Sequence, residues 1–215
     1  MDKAVIVIII ANVLVSLKGF SDRSFLEKYK FQIGPVLRGE KFRMFTSGFL
    51  HVDQAHLFFN MFALYIFADS VIDEIGMLKF IMIYAGSLLA GSTLALSFHK
   101  REPYYSAVGA SGAVMGIVYA AIMLVPDMRL SFIFLPIVSF PGYIFGVGYF
   151  LYSIYGMKTK LGNTGHSAHL GGAVGGFVLT LALYPQIFME NKFVVTVLAV
   201  PIILMFLFKE NLENR

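Results

Sequence analysis

The sequence predicts an all-α polytopic membrane protein, and three observations carry that reading. Of its 215 residues 58% are hydrophobic and only 14% are charged, and the mean hydropathy is +0.75, which leaves too little polar surface for a soluble domain. The apolar residues fall in long runs separated by short polar turns, as expected of helices crossing a hydrocarbon core of about 30 Å. At about 20 residues per span, the chain has room for roughly six or seven helices and for no separate soluble domain. The expected architecture is a six-helix core over 1–185, followed over 186–215 by a seventh span and a charged tail.

In order, the first span is expected over 3–17; it lacks the basic start and small-residue cleavage site of a secretory signal. A polar stretch over 18–47 carries seven of the Lys and Arg residues. Its interleaved Phe20, Phe25, Leu26, Tyr29, Phe31 and Ile33 predict a folded interfacial loop with short amphipathic helices. The second span begins near 51–55 and closes at 72, before Asp73 and Glu74. The third covers 77–98 and ends in the polar turn from His99 to Pro103, with His99 expected to be solvated. Ser111 opens a fourth, which Pro126 and Asp127 end after about 15 residues, shorter than the membrane is thick. The Ser111 end should therefore lie below the membrane surface, inside protein. Pro136 and Pro141 predict an irregular approach over 130–140 to a fifth span at 142–155. A Lys/Gly/Asn loop follows at 157–165, a Gly-rich sixth span at 166–184 and the seventh at 193–208.

The absence of Cys excludes disulfides, thiolate metal sites and cysteine nucleophiles. Without Trp, the interfacial belts fall to 22 Phe and 11 Tyr. The net charge of +4 reads as topology and headgroup contact rather than a nucleic-acid partner. No metal ligand set and no cofactor motif stands out.

Polar side chains at membrane depth mark functional sites by default, because they are costly to place there. Three groups qualify: His51, His56 and Asn60 of the second span, Ser111 of the fourth, and His166 and His169 of the sixth. His56 and Asn60, four apart, share one helix face. Alone, Ser111 reads better as helix packing, since Gly112 and Gly116 have close-contact spacing. A nucleophilic serine needs a base within hydrogen-bond reach and donors aimed at the oxyanion. The free amides and dipole at a helix start supply part of the second. For the first, Gly172 and Gly176 clear one face of the helix that carries His169, letting it approach closely. No carboxylate lies near His169 in the sequence, so a Ser–His dyad is expected, with His56 and Asn60 as oxyanion donors beside the Ser111 amide.

Three motifs taken together, His51-x4-His56-x3-Asn60, Gly109-Ala110-Ser111-Gly112 and Ala168-His169-x2-Gly172-x3-Gly176, resemble the rhomboid intramembrane serine proteases over about 1–185. The resemblance implies Ser111 as nucleophile, His169 as base, and His56, Asn60 and the Ser111 amide as oxyanion donors. It also implies that His51 hydrogen-bonds within the first loop and that Arg43, in Glu40-Lys41-Phe42-Arg43-x2-Thr46, is structural. Two positions depart from the family pattern: Phe42 stands where a Trp is usual, and Met115 where many members pack an aromatic on the catalytic imidazole.

By resemblance, the substrates are transmembrane segments of other proteins with small residues at the cleavage site, admitted between the second and fifth spans with 157–165 as a movable cap. A plasma-membrane location is expected, with the site open to the extracytoplasmic side. The Lys/Arg distribution runs against that orientation, four on the N-terminal side and 13 on the other. Two alternatives of other kinds are an inactive rhomboid-like binder of membrane helices and a His-lined transporter. The second lacks a mid-span carboxylate and an inverted repeat.

Overall fold

In the computed structural model, which describes residues 1–132, 135–159 and 165–208, helix α1 (Lys3–Ser21) starts where the Asp2 carboxylate accepts the Ala4 amide at 2.7 Å. It runs one turn past the expected end because Gly19 is buried against Leu50. Asp22 stops α1 and caps α2 (Arg23–Tyr29), its carboxylate accepting the Phe25 amide at 3.0 Å.

The loop after α1 is folded, as its apolar residues predict. It continues through strand β1 (Phe31–Gln32), α3 (Ile33–Leu37), α4 (Arg43–Thr46) and a 3-10 turn, Ser47–Phe49. Arg43 ties it together: Nε donates to Glu40 Oε2 at 2.7 Å, and Nη1 donates to the carbonyls of Glu27 at 2.7 Å and Lys30 at 3.0 Å.

Helix α5 (Gln54–Ile75) is capped by Asp53, which accepts the His56 amide at 2.7 Å. It takes Asp73 and Glu74 into its last turn instead of stopping before them, and ends at Gly76, whose φ of 85° only glycine adopts without strain. Helix α6 (Met77–His99) follows directly. His99, its last residue, is not solvated as expected: its ring stacks on Tyr105 of the following turn at 3.6 Å. Strand β2 (Ser106–Ala107) then pairs antiparallel with β1, binding this turn to the first loop.

Helix α7 (Ser111–Leu124) is the centre of the fold. Every residue from Gly112 to Leu124 is buried, and α5, α6, α8, α9 and α11 pack around it. Its 14 residues span about 21 Å. Where an irregular approach was expected, β3 (Arg129–Phe132) and β4 (Leu135–Pro141) form an antiparallel hairpin. Proline is tolerated there because both strands are edges.

Helix α8 (Gly142–Thr159) extends through 157–159, which the sequence reading gave to a loop. The rest of the expected cap, 160–164, lies outside the described residues, as does the charged tail, 209–215. Helix α9 (His166–Leu183), the short α10 (Ile187–Glu190) and α11 (Lys192–Leu207) complete the order. Among the described residues, four helices, α1, α5, α6 and α9, are long and apolar enough to cross a membrane, and α7 and α11 are shorter apolar helices. The protein is an all-α, multi-pass integral membrane protein.

The three innermost helices meet through glycine. A Cβ on Gly172 of α9 would stand 2.7 Å from the Gly112 Cα of α7, and one on Gly171 would stand 2.8 Å from the Gly91 Cα of α6. Backbones touch there because no side chain intervenes.

Candidate active site

Ser111 is the first residue of α7, and Ala110 before it provides no side-chain cap. The first amides of the helix are thus left without intrahelical partners, at the positive end of the dipole. Gly109 gives the preceding turn its shape. Its φ is 131°, its amide donates to the Ser47 carbonyl at 3.0 Å, and its Cα face is covered by the His56 imidazole. A Cβ on Gly109 would lie 2.6 Å from His56 Cε1 and 3.6 Å from Ser111 Oγ, so the His56 ring and the serine hydroxyl flank the same point.

The close approach of α9 to α7 brings His169 to the serine. Nε2 of His169 and Oγ of Ser111 are 2.7 Å apart, and the imidazole is 8% exposed. The opposite ring nitrogen, Nδ1, lies 2.8 Å from the hydroxyl oxygen of Tyr149 on α8. No carboxylate had been expected near His169, and the partner at Nδ1 is a phenol. Met115, one turn along α7 from Ser111, is buried and lines the same cavity.

Asn60 is buried on α5, and its amide donates to the His56 carbonyl at 2.9 Å. That bond uses one of two carboxamide hydrogens and leaves the other for the cavity. His51 does not bond within the first loop as the resemblance implied. Its Nδ1 lies 2.8 Å from Ser16 Oγ of α1, and its Nε2 accepts the Ala110 amide at 3.4 Å. Because Ser16 also donates to the Phe49 carbonyl at 3.0 Å, one neutral tautomer satisfies the set: His51 Nδ1 donates to Ser16 and Nε2 receives Ala110. His51 therefore ties the serine turn to α1. Its ring also meets that of His56 edge-on at 4.9 Å.

Ser111, His56, Asn60, Gly109, Gly112, Tyr149, His166 and His169 line one cavity of about 1000 Å³. Phe59 and Ala63 of α5 and Met157 of α8 flank it, and Glu27, Lys30 and Glu102 lie at its polar end. Arg43 stands outside it, holding the first loop in place; Phe42 packs edge-on against Tyr29 at 6.1 Å. Gly116 and Gly176 meet further along the α7–α9 contact. An imidazole nitrogen, a free helix start, a second imidazole and a carboxamide thus surround the serine hydroxyl in one cavity. This arrangement suits attack on a carbonyl.

Comparison with known proteins gives the same direction. The Rhomboid domain matches residues 38–186. The chain belongs to the rhomboid family. It is 31% identical over 139 residues to the human presenilin-associated rhomboid-like protein, mitochondrial, covering 62% of this chain and 35% of that one. To rhomboid protease GluP of Bacillus subtilis it is 31% identical over 150 residues, 69% of this chain and 27% of that one. To RHOMBOID-like protein 12, mitochondrial, of Arabidopsis thaliana it is 28% identical over 184 residues, 78% of this chain and 54% of that one. The chain thus spans between about a quarter and a half of these relatives' lengths. Their names place rhomboids in mitochondria and in a bacterium alike, and give the expected plasma-membrane location no support.

Tyr149 is the site residue that sequence reasoning missed. A signal existed: the hydroxyl of a tyrosine inside a span needs a partner. Tyr143, Tyr149, Tyr152 and Tyr155 share α8, however, and only the packing of α8 against α9 singles out Tyr149.

Proposed function

We propose that this rhomboid is a serine endopeptidase that hydrolyses peptide bonds in or near the transmembrane helices of other membrane proteins. The observation that carries the reading is the 2.7 Å contact between Ser111 Oγ and His169 Nε2, inside a cavity at an uncapped helix start. The relative named a protease in Bacillus subtilis agrees with it.

In this reading His169 Nε2 takes the Ser111 hydroxyl proton as Oγ attacks the scissile carbonyl. The Ser111 amide, the His56 ring and the second Asn60 hydrogen then face the oxyanion. His169 returns the proton to the leaving amine, and a water from the cavity hydrolyses the acyl-serine by the same exchange in reverse. A helix hides its carbonyls in its own hydrogen bonds, so substrates with small, weakly helical residues at the cleaved bond unwind at lower cost. The lateral way in runs between α5 and α8. We take 1–185 as the catalytic core and 186–215 as an added helix and tail. The membrane is a cellular one, with the cavity facing the side opposite the N-terminus.

The test is cleavage of a transmembrane substrate by the full chain reconstituted in liposomes, with Ser111→Ala and His169→Ala as controls. Both substitutions should abolish cleavage, and metal chelators should leave it intact. Full activity in Ser111→Ala would overturn the reading, and loss of activity to a chelator would favour a metal-dependent one. A wild-type chain that binds transmembrane helices without cleaving them would instead be an inactive rhomboid-like binder.

A further inference from the structure

A Ser–His pair works only if the imidazole offers its bare nitrogen to the serine. Neutral histidine has two tautomers, and in one of them Nε2 carries the hydrogen and cannot act as a base. Packing alone does not choose between them; the group at the other ring nitrogen does. Here that group is the Tyr149 hydroxyl, 2.8 Å from His169 Nδ1. The two rings are 5.9 Å apart and tilted by 33°, so the phenol meets the imidazole through its oxygen rather than by stacking on its face. Met115 occupies the position where an aromatic would cover the ring.

A phenol differs from a carboxylate in that it can donate as well as accept. If Tyr149 donated to Nδ1, it would select the wrong tautomer. Its own hydrogen therefore needs another acceptor. Ser153 is placed for that role, one turn further along the same face of α8. It is 1% exposed, its hydroxyl makes no well-formed hydrogen bond among the described residues, and the Tyr149 phenol is its electrostatic neighbour.

We propose that Tyr149 is a positioning residue whose oxygen accepts the His169 Nδ1 hydrogen, with its own hydrogen directed to Ser153, so that Nε2 stays open to Ser111. The inference rests on the protease reading. Protons balance along the chain: the Ser111 proton moves to Nε2 during attack, Nδ1–H stays on Tyr149, and the Nε2 proton leaves with the amine. While the imidazole is charged, the bond to Tyr149 becomes charge-assisted and strengthens. Tyr149 thus contributes more at the transition state than at rest, as a positioning group for catalysis must.

The experiment compares wild type, Tyr149→Phe and Ser153→Ala, each as the full chain in liposomes. Three readouts are taken: kcat and KM on a transmembrane substrate, the rate at which a fluorophosphonate labels Ser111, and the nitrogen chemical shifts of isotope-labelled His169. Tyr149→Phe keeps the ring and removes the oxygen. It should lower kcat about 10- to 100-fold with KM changed less than about twofold, the share expected of one charge-assisted hydrogen bond. Labelling of Ser111 should slow in parallel, and the His169 shifts should move toward the tautomer with hydrogen on Nε2. Ser153→Ala should move all three readouts the same way by about 3- to 10-fold in rate, as expected of one neutral bond.

An unchanged kcat in Tyr149→Phe, a loss confined to KM, or a lowered melting temperature with unmoved His169 shifts would overturn the positioning role. A wild-type chain that neither cleaves nor takes the probe would overturn the protease reading itself, a separate result.

Discussion

Replacing Gly172 by alanine tests how far the α7–α9 contact governs the site. A Cβ there would stand 2.7 Å from the Gly112 Cα and 2.6 Å from its carbonyl carbon. Ordinary carbon contacts lie at about 3.5 to 4.0 Å, so α9 must retreat by roughly 1 Å. Both obstructing atoms are backbone, and no rotamer change relieves them. His169 rides on the same helix three residues earlier. A retreat of that size would stretch the 2.7 Å contact between Ser111 Oγ and His169 Nε2 to about 3.7 Å, beyond hydrogen-bond range. Misplacement by about 1 Å costs on the order of 100-fold in rate, and overpacking a core lowers stability by about 1 to 3 kcal/mol. The assay is the rate of fluorophosphonate labelling at Ser111 alongside thermal unfolding in the same detergent. Gly148→Ala serves as control, since a Cβ at that helical glycine meets nothing within 4 Å; it should label at the wild-type rate. Labelling of Gly172→Ala within about threefold of wild type, where about 100-fold is expected, would refute the claim that glycine contact sets the Ser111–His169 distance.

Three further outcomes follow. Gly109→Ala, at φ 131° and against the His56 ring, should displace His56 and lower kcat by about 100- to 1000-fold, the range for a lost oxyanion donor; unchanged kcat would remove His56 from that role. Arg43→Ala, which abandons the Glu27 and Lys30 carbonyls, should destabilise the first loop by about 2 to 3 kcal/mol, read as faster amide exchange over 23–47. Since the chain has no Cys, single substitutions Lys28→Cys and Lys79→Cys report orientation: in sealed membranes of one orientation an impermeant reagent should label one of positions 28 and 79 and spare the other, and labelling of both would refute their placement on opposite sides.

The polar residues at depth were legible in the sequence because an apolar background isolates them. Asn60 stands out in a run of aliphatic and aromatic side chains, His56 just after a polar turn, and Ser111 and His169 among small residues at the start of apolar helices, and the spacing of Gly172 and Gly176 announces the close helix contact that joins the last two. What was not legible depends on pairs distant in sequence. The Ser16 to His51 bond joins helix α1 to a turn 35 residues later, and serine on a span reads as packing. The β1–β2 pairing involves two residues on each side, too few for an alternating pattern to register. The β3–β4 hairpin was hidden by its prolines, which read as breaks in a helix and are equally at home on an edge strand. Tyr149 was hidden by abundance, one of 11 tyrosines that the absence of Trp had assigned to the interfaces.

The burial of α7 from Gly112 to Leu124 divides the chain into two regimes of substitution. The outward faces of α1, α5 and α11 dissolve in lipid, where Val7, Phe58 and Leu207 are exposed and any apolar side chain solvates equally well. Beyond its cavity-lining first turn, the helix that carries Ser111 packs against protein, so protein is its solvent, and each of those positions must fit a neighbour of fixed shape. Drift should therefore concentrate on the outer surface, and a change of lipid should reach the serine only by way of the helices around it.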